Sequence, residues 1–177
     1  MARPGPLPAG DYSFELKWGG FRALVARKGD FRVRSRRGWD MTALLPELAD
    51  LPADGVFGGE LVAFADGVPY FPLVCERLLH GHRDVALTFV VFDVLELDGE
   101  VVMDRPFAHR RRLLDELELR LGPWFVADAL EDGAALYTAA CERGLEGVVA
   151  KRRLERYRPR ERGWIKVKNP WGAQTPS

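Results

Sequence analysis

The sequence predicts an α+β domain in which antiparallel β-sheets are flanked by helices. Strand-like segments outnumber helical ones, and neighbouring strands are often joined by short turns that contain glycine, as in β-hairpins. Helical segments fall between groups of strands, which argues against a doubly wound parallel sheet. The 177 residues are enough for one domain of ordinary size with a hydrophobic core.

The predicted strands share an alternating or largely apolar character. The second segment is a hairpin that turns at Gly29-Asp30, and further turns are expected at Asp66-Gly67 and Asp98-Gly99. In chain order the strand segments are residues 12–18, 21–35, 56–64, 85–97, 124–130, 146–151 and 164–169.

Helices are predicted where apolar residues recur every three to four positions. Thr42 is the expected N-cap of the first helix, and Gly144 is expected to end the last one. The helical segments are residues 42–51, 71–80, 108–121 and 133–144. The expected organisation is a flexible leader over residues 1–11, one domain over residues 12–169 and a tail over residues 170–177.

Composition and charge restrict the class of protein. A 47% hydrophobic chain with a formal net charge of zero is typical of a globular protein and excludes the disordered and fibrous classes. No apolar run approaches the roughly 18 residues of a membrane span, and the first ten residues lack the apolar core of a signal peptide. Cys75 and Cys141 show neither zinc-ligand spacing nor a disulfide framework, which indicates a reducing cytoplasm.

Lys17 stands at the end of the first predicted strand, in "ELKWGGFR". A lysine at such a position is usually a solubility residue, and the alternative is a covalent nucleophile. A free lysine amine is almost fully protonated near pH 7, so a nucleophile needs partial desolvation or nearby positive charge. Arg22, Lys166, Lys168 and a bound metal are the candidates for that charge.

Two late strands carry further charged residues. "EGVVAK" places Glu146 before an apolar strand and Lys151 at its far end, and "WIKVK" places Lys166 and Lys168 on one strand face. A polyanion between two ammonium groups would offset their repulsion. The alternative is an edge strand protected by lysines, and the basic segment 151–168 as a whole is equally compatible with a solvated face.

Three other candidates are ambiguous when taken singly. Glu60 follows two glycines in "FGGELVAF", so it is either an outward strand residue or a carboxylate that a nucleotide or metal can approach. Phe92 in "FVVFDVLELDG" is either a core residue or a ring that stacks on a purine. Ser35, Arg36 and Arg37 in "SRRGWD" suit ribose or phosphate contacts.

The order of these segments is more specific than any one of them. From about Tyr12 to Asn169 the chain resembles the nucleotidyltransferase domain of ATP-dependent DNA ligases, an ATP-grasp-like fold whose superfamily includes RNA ligases and mRNA-capping guanylyltransferases. "ELKWGGFR" is similar to the lysine motif Lys-x-Asp-Gly with its downstream arginine. The other similar segments are "SRRGWDMT", "GGELVAF", "FVVFDVLELDG", "EGVVAK" and "WIKVK". The style is nearest to the ligases of bacterial end-joining systems.

The resemblance implies a role for each residue of the first strand and its partners. Lys17 is the implied nucleophile that attacks the α-phosphate of ATP and becomes a lysyl-AMP phosphoramide. Glu15 is implied to contact the adenine edge, and Phe92 to stack on the ring. Arg22 and Arg36 are implied to contact ribose or the phosphate at the nick.

The remaining implied roles concern the triphosphate and the metal. Glu60 and Glu146 are implied to hold ribose or a divalent ion, Mg²⁺ or Mn²⁺. Lys151, Lys166 and Lys168 are implied to neutralise the triphosphate, with Lys166 and Lys168 acting alongside the nucleophile in catalysis. The implied partners are nicked or broken double-stranded DNA, and the implied location is the cytoplasm of a bacterium, at the nucleoid.

The chain departs from the family pattern at several points. Gly19 and Gly58 stand where the family has aspartate, the stretch from Tyr157 to Trp164 is shorter than usual, and nothing after Asn169 is long enough for the OB-fold domain of a ligase. Three functions therefore stay open. They are a minimal DNA ligase assisted by an end-joining or OB-fold partner protein, a non-catalytic module that binds nucleotides or DNA ends, and an RNA ligase or capping-type enzyme.

Overall fold

The computed structural model describes residues 2–51, 53–120, 122–159, 161 and 163–172. Its strands are β1 Ala2–Pro4, β2 Tyr12–Leu16, β3 Phe21–Lys28, β4 Asp30–Ser35, β5 Gly55–Val62, β6 Phe64–Ala65, β7 Val68–Pro69, β8 Thr88–Leu97, β9 Glu100–Val101, β10 Trp124–Val126, β11 Gly147–Arg152 and β12 Trp164–Lys168. Its helices are α1 Phe71–Leu79, α2 Phe107–Glu116 and α3 Gly133–Glu142, with 3₁₀ turns at Thr42–Leu44 and Pro46–Leu48.

The strands form two main sheets and a small hairpin. The larger sheet has the order β10-β8-β5-β3-β4, with β9 also paired to β8, and the smaller sheet has the order β1-β12-β11-β2. Strands β6 and β7 pair only with each other among the described residues. Neighbours are antiparallel except for β1 with β12 and β10 with β8. The predicted α+β class with antiparallel sheets is confirmed.

Strand alternation divides the hydrophobic interior. On β8, Phe89 and Val91 belong to the main core of the larger sheet, whereas Val90 and Phe92 belong to a separate cluster. Trp18, which follows β2, and Trp164, which begins β12, pack against that second cluster. Since both tryptophans come from the smaller sheet, this cluster joins the two sheets at the place where the predicted nucleotide site lies.

The segment 42–51 does not form the single helix that the sequence predicts. Pro46 has no N–H to donate, and the segment is instead two short 3₁₀ turns. Thr42 does not cap a helix with its side chain. Its hydroxyl donates to Asp40 Oδ1 at 2.6 Å and accepts from the Val33 N–H at 3.0 Å, which fastens the turn to β4.

Residues near the start of the chain pair with the smaller sheet. Ala2–Pro4 lie parallel to β12, with Pro4 opposite Lys166, and the Gly5 N–H donates to the Lys166 carbonyl at 3.2 Å. The bare edge of β12 offers main-chain hydrogen bonds to this segment, and the flexible leader expected over residues 1–11 stays a prediction. The predicted limits 12–169 of the domain stay a prediction, and residues 173–177 of the predicted tail lie outside the described residues.

The helices confirm their predicted positions with small shifts at the ends. Helix α2 ends at Glu116, five residues before the predicted end, and the chain then turns through Glu118, whose φ is 49°. Helix α3 is followed by Gly144 with φ of 65°, as its predicted stop requires. Among the described residues, no helix is both long enough and apolar enough to cross a membrane.

Candidate functional site

Lys17 lies directly after β2, beside the start of β11. Its N–H donates to the Gly147 carbonyl at 2.9 Å, and its Nζ is 2.5 Å from Glu146 Oε2. The side chain is 13% exposed, so the amine is mostly shielded but reachable. Gly147 makes this arrangement possible. Its φ is 131°, and a Cβ there would lie 2.1 Å from the Val167 carbonyl oxygen.

Glu60 lies across from this pair, on β5 and opposite Arg22 of β3. Gly20 lets the chain pass close to it, since a Cβ there would lie 2.3 Å from the Leu61 carbonyl oxygen. Burial raises the pKa of Glu60 to about 7, the positive charges of Arg22 and Lys17 oppose that rise, and the negative charge of Glu146 adds to it. The two carboxylates therefore belong to one electrostatic site with Lys17.

Lys166 of β12 joins the same site. Burial lowers the pKa of its amine, Lys17 and Lys168 lower it further, and Glu146 and Glu60 oppose the change. Lys168 pairs with Gly147 across the sheet, and its carbonyl accepts a hydrogen bond from Tyr137 at 3.0 Å. The structure therefore brings Lys17, Glu60, Glu146 and Lys166 together, with Lys168 contributing charge from the end of the strand.

A second group lies deeper between the sheets. Lys151 Nζ donates to Glu15 Oε2 at 2.7 Å and to the Phe92 carbonyl at 2.9 Å, and both charged side chains are almost completely buried. Burial raises the pKa of Glu15 and lowers that of Lys151, and each charge opposes the shift of the other. Within the described residues Glu15 Oε1 has no hydrogen-bond partner, so a buried acceptor is left for a donor from outside.

The Phe92 ring is covered rather than open, with 8% of the residue exposed. Arg22 Cζ lies 4.2 Å from the ring centroid, and the Trp164 ring meets it edge-on at 5.6 Å. Lys151 Nζ is 4.7 Å from the same centroid. The residue that the sequence nominates for stacking on adenine is thus part of the contact between the two sheets.

Arg36, another predicted site residue, does not contact the group around Lys17. It lies on the exposed turn after β4 and makes no hydrogen bond or ion pair within the described part of the chain. The turn itself is ordered by Ser35, whose Oγ accepts from the Trp39 N–H at 3.0 Å, and by Gly38 with φ of 88°. Its predicted contact with ribose or DNA stays a prediction.

Sequence reasoning did not single out Arg110 of α2. This arginine is completely buried and donates to both carboxylate oxygens of Asp93, from Nε to Oδ1 at 2.7 Å and from Nη2 to Oδ2 at 3.0 Å. Its Nη1 donates to the Arg105 carbonyl at 2.6 Å and to the Glu155 carbonyl at 3.3 Å. It thereby fixes the backbone next to Phe92. The signal in the sequence was an arginine three residues after Phe107, on the apolar face of the helix.

A cavity of about 180 Å³ opens beside Lys17. Trp18, Gly19, Tyr70 and Phe71 contribute to its wall. Gly19 does not have a positive φ. The backbone at the position where the resemblance expects an aspartate therefore does not itself require glycine.

A divalent ion is the other group that the resemblance implies. No cluster of three or more metal-ligating side chains occurs among the described residues. Glu60 and Glu146 nevertheless suit Mg²⁺, because this ion is commonly bound by one or two carboxylates together with substrate phosphates.

The comparisons with known proteins agree with this geometry. A family model described as the ATP dependent DNA ligase domain matches residues 7–168. A DNA ligase of Methanoculleus marisnigri is 39% identical over 95% of this chain, which spans 34% of that protein. The multifunctional end-joining DNA repair protein LigD of Mycobacterium tuberculosis is 38% identical over 95% of the chain, which spans 23% of it.

A solved structure gives the same result in three dimensions. The mycobacterial DNA ligase D complexed with ATP and MES has a TM-score of 0.83 and 37% identity over 95% of this chain and 58% of that one. The match to the family model covers most of the chain and includes the segments that carry Lys17, Glu60, Phe92, Glu146 and Lys166. The resemblance predicted from the motifs is confirmed, and the chain belongs to the ATP-dependent DNA ligase domain family.

Proposed function

We propose that this chain is the adenylation part of an ATP-dependent DNA ligase, in which Lys17 takes AMP from ATP and passes it to the 5′-phosphate of nicked or broken DNA. The observation that carries the proposal is the position of the Lys17 amine, mostly shielded and 2.5 Å from Glu146 Oε2. A lysine kept only for solubility would not need a buried carboxylate so close.

The first step forms a bond between Lys17 Nζ and the α-phosphorus, and the bond to the pyrophosphate oxygen breaks. Pyrophosphate leaves with the electron pair of that bond. Glu146 is placed to receive the proton that the amine loses. The nearby ammonium of Lys166 offsets negative charge on the phosphates, because it belongs to the same electrostatic site. A Mg²⁺ or Mn²⁺ ion held by Glu60 and Glu146 would add further charge neutralisation.

Recognition of the base is assigned to Glu15. Its Oε1 is buried and has no partner among the described residues, so the exocyclic amine of adenine can supply the missing donor. Lys151 holds Oε2 and fixes the direction of the carboxylate. A guanine presents a carbonyl at that position, and it would leave the carboxylate unpaired, which favours ATP over GTP.

In the later steps AMP moves to the DNA 5′-phosphate, and attack by the 3′-hydroxyl releases AMP and seals the strand. The basic segment 151–168 and Arg36 are proposed to contact DNA phosphates. Since the chain spans 34% of the DNA ligase and 23% of the LigD protein above, an OB-fold or end-joining partner is proposed to complete the binding of DNA at the bacterial nucleoid.

The test is the intact mass of the protein after incubation with ATP and Mg²⁺. We expect an increase by one AMP unit that Lys17→Ala abolishes and that Lys28→Ala, a matched change at an exposed lysine, preserves. An adduct that persists in Lys17→Ala contradicts the assignment. An adduct from GTP indicates a capping-type enzyme, and nucleotide or DNA binding without any adduct indicates a non-catalytic module.

A second measurement separates the steps. A nick that already carries AMP bypasses the attack by Lys17, so Lys17→Ala should seal it at a rate close to that of the unchanged chain while failing with ATP. RNA and DNA nicks are compared in the same assay. Faster sealing of RNA than of DNA would indicate that the chain is part of an RNA ligase.

A further inference from the structure

The covered state of Phe92 raises the question of how a base reaches it. The ring is 8% exposed, and the Arg22 guanidinium lies over it at 4.2 Å from the centroid. That distance is within the range of a favourable cation–π contact. The Arg22 side chain makes no hydrogen bond or ion pair inside the described ranges, and its ring contacts are with Phe92 and, at 5.7 Å from the centroid, with Trp164.

The absence of a carboxylate at position 58 leaves the guanidinium without an ion-pair partner beside the ring. Gly58 lies on β5, next to the ring, and a Cβ at this position would be 3.5 Å from Arg22 Nη2 and 3.8 Å from Phe92 Cε2. Both are ordinary contact distances, and Gly58 does not have a positive φ. A side chain at position 58 can therefore begin without a clash, and we expect a carboxylate there to lie within ion-pairing reach of Arg22.

We propose that Arg22 acts as an internal cap on Phe92 because Gly58 offers it no other partner. A nucleobase can then stack on the ring only when Arg22 moves away. The inference rests on the proposed function, in which Phe92 stacks on adenine. Arg22 thus controls whether a base reaches Phe92, before it makes any contact with ribose or phosphate. The residue at position 58 influences the affinity for nucleotides through Arg22.

A displaced Arg22 side chain has another partner nearby. Arg22 lies opposite Glu60 across the β3–β5 pair, and its positive charge already acts on that carboxylate. The phosphates of a bound nucleotide would lie near Lys17 and Lys166, on the side of Glu60. A nucleotide therefore supplies phosphates as partners for Arg22 in addition to Glu60 when the base displaces it from the ring, whereas a nucleoside without phosphates leaves it Glu60 alone.

This difference gives the binding test. Dissociation constants for adenosine and for ATP are measured by titration calorimetry in a Lys17→Ala background, which prevents adduct formation. Gly58→Asp should lower the Kd of adenosine by about 2- to 30-fold, the range that a cation–π contact represents. Gly58→Asn adds the same bulk without the charge and should leave the Kd within about twofold.

Arg22→Ala separates the cap from a structural role. It should tighten adenosine binding and weaken ATP binding, because the cap and the phosphate partner are lost together. The inference is overturned if Gly58→Asp and Gly58→Asn have equal effects, or if Arg22→Ala weakens adenosine as much as ATP.

A measurement without nucleotide tests the cap itself. In the NMR spectrum of the unchanged chain, the Arg22 side-chain protons should be shifted upfield by the Phe92 ring, and Phe92→Leu or Gly58→Asp should remove the shift. Unshifted Arg22 protons overturn the inference whatever the nucleotide does. A shifted Arg22 in a chain that binds neither adenosine nor ATP would instead overturn the proposed function, and with it the link between the cap and the base.

Discussion

The carboxyl group of Glu60 should make the stability of this domain depend on pH in a direction opposite to that of most acidic residues. Burial raises its pKa from 4.5 to about 7 in the folded chain. Between these values the folded state binds the proton and the unfolded state does not. The free energy of unfolding therefore contains a contribution that is present below about pH 4.5 and is lost as the pH rises through about 7.

The size of the effect follows from the two pKa values. A tenfold change in proton affinity is worth about 1.4 kcal/mol, so the change from 4.5 to about 7 corresponds to about 3 kcal/mol. Glu60 keeps some contact with solvent, and its site also contains Arg22 and Glu146, so we expect about 1 to 3 kcal/mol in practice.

Glu60→Gln isolates this contribution, because glutamine resembles the protonated acid in shape and cannot ionise. Urea unfolding of both proteins between pH 4.5 and 8 gives the difference in unfolding free energy at each pH. Other titrating groups, including Glu15 and Lys151, largely cancel in that difference. The unchanged chain should lose about 1 to 3 kcal/mol relative to Glu60→Gln across this range. The reasoning is refuted if the stability of the unchanged chain relative to Glu60→Gln stays constant or rises with pH.

Two further predictions concern the same cleft. Gly19→Asp should raise the rate of adenylation or sealing by at least about tenfold, because it adds a charged group to the wall of the cavity beside Lys17 without backbone strain; Gly19→Asn is the control, and no gain at an unchanged melting temperature would mean that the site has adapted to glycine. Lys151→Met should lower the unfolding free energy by about 3 to 5 kcal/mol, because it leaves the Glu15 carboxylate buried without a cation. Urea unfolding checks this against Arg156→Met at an exposed position, and recovery on adding Glu15→Gln is expected.

Turns, strands and helix ends could be predicted from the sequence where they depend on a few neighbouring residues. The hairpin around Gly29, the strands of the central sheet and the end of α3 before Gly144 all lie close to their predicted places, because glycine and alternation act over a few residues. The prediction of a helix after Thr42 failed because it did not take every local rule into account. Its helical pattern ignored Pro46, and the hydroxyl of Thr42 found partners on β4 instead.

The sequence could indicate candidate site residues, but not their burial, contacts or pKa. The order of motifs in the sequence nominated Lys17, Glu60, Glu146 and Lys166, and the structure brings these four together. Arg110 escaped notice because an arginine in a helix is normally exposed, and only the fold shows that it is buried against Asp93. Arg36 was nominated with equal weight, yet it lies on an exposed turn.

By itself the sequence determined the family and the fold class and indicated Lys17 as the candidate nucleophile, because these depend on residue types at fixed spacings along the chain. Only the tertiary structure decided that Lys151 is held by Glu15, that Glu60 has a raised pKa and that Arg22 covers Phe92. Each of these facts depends on strands that are far apart in sequence and packed face to face. Burial and charge act through space, so no pattern along one strand could have shown them.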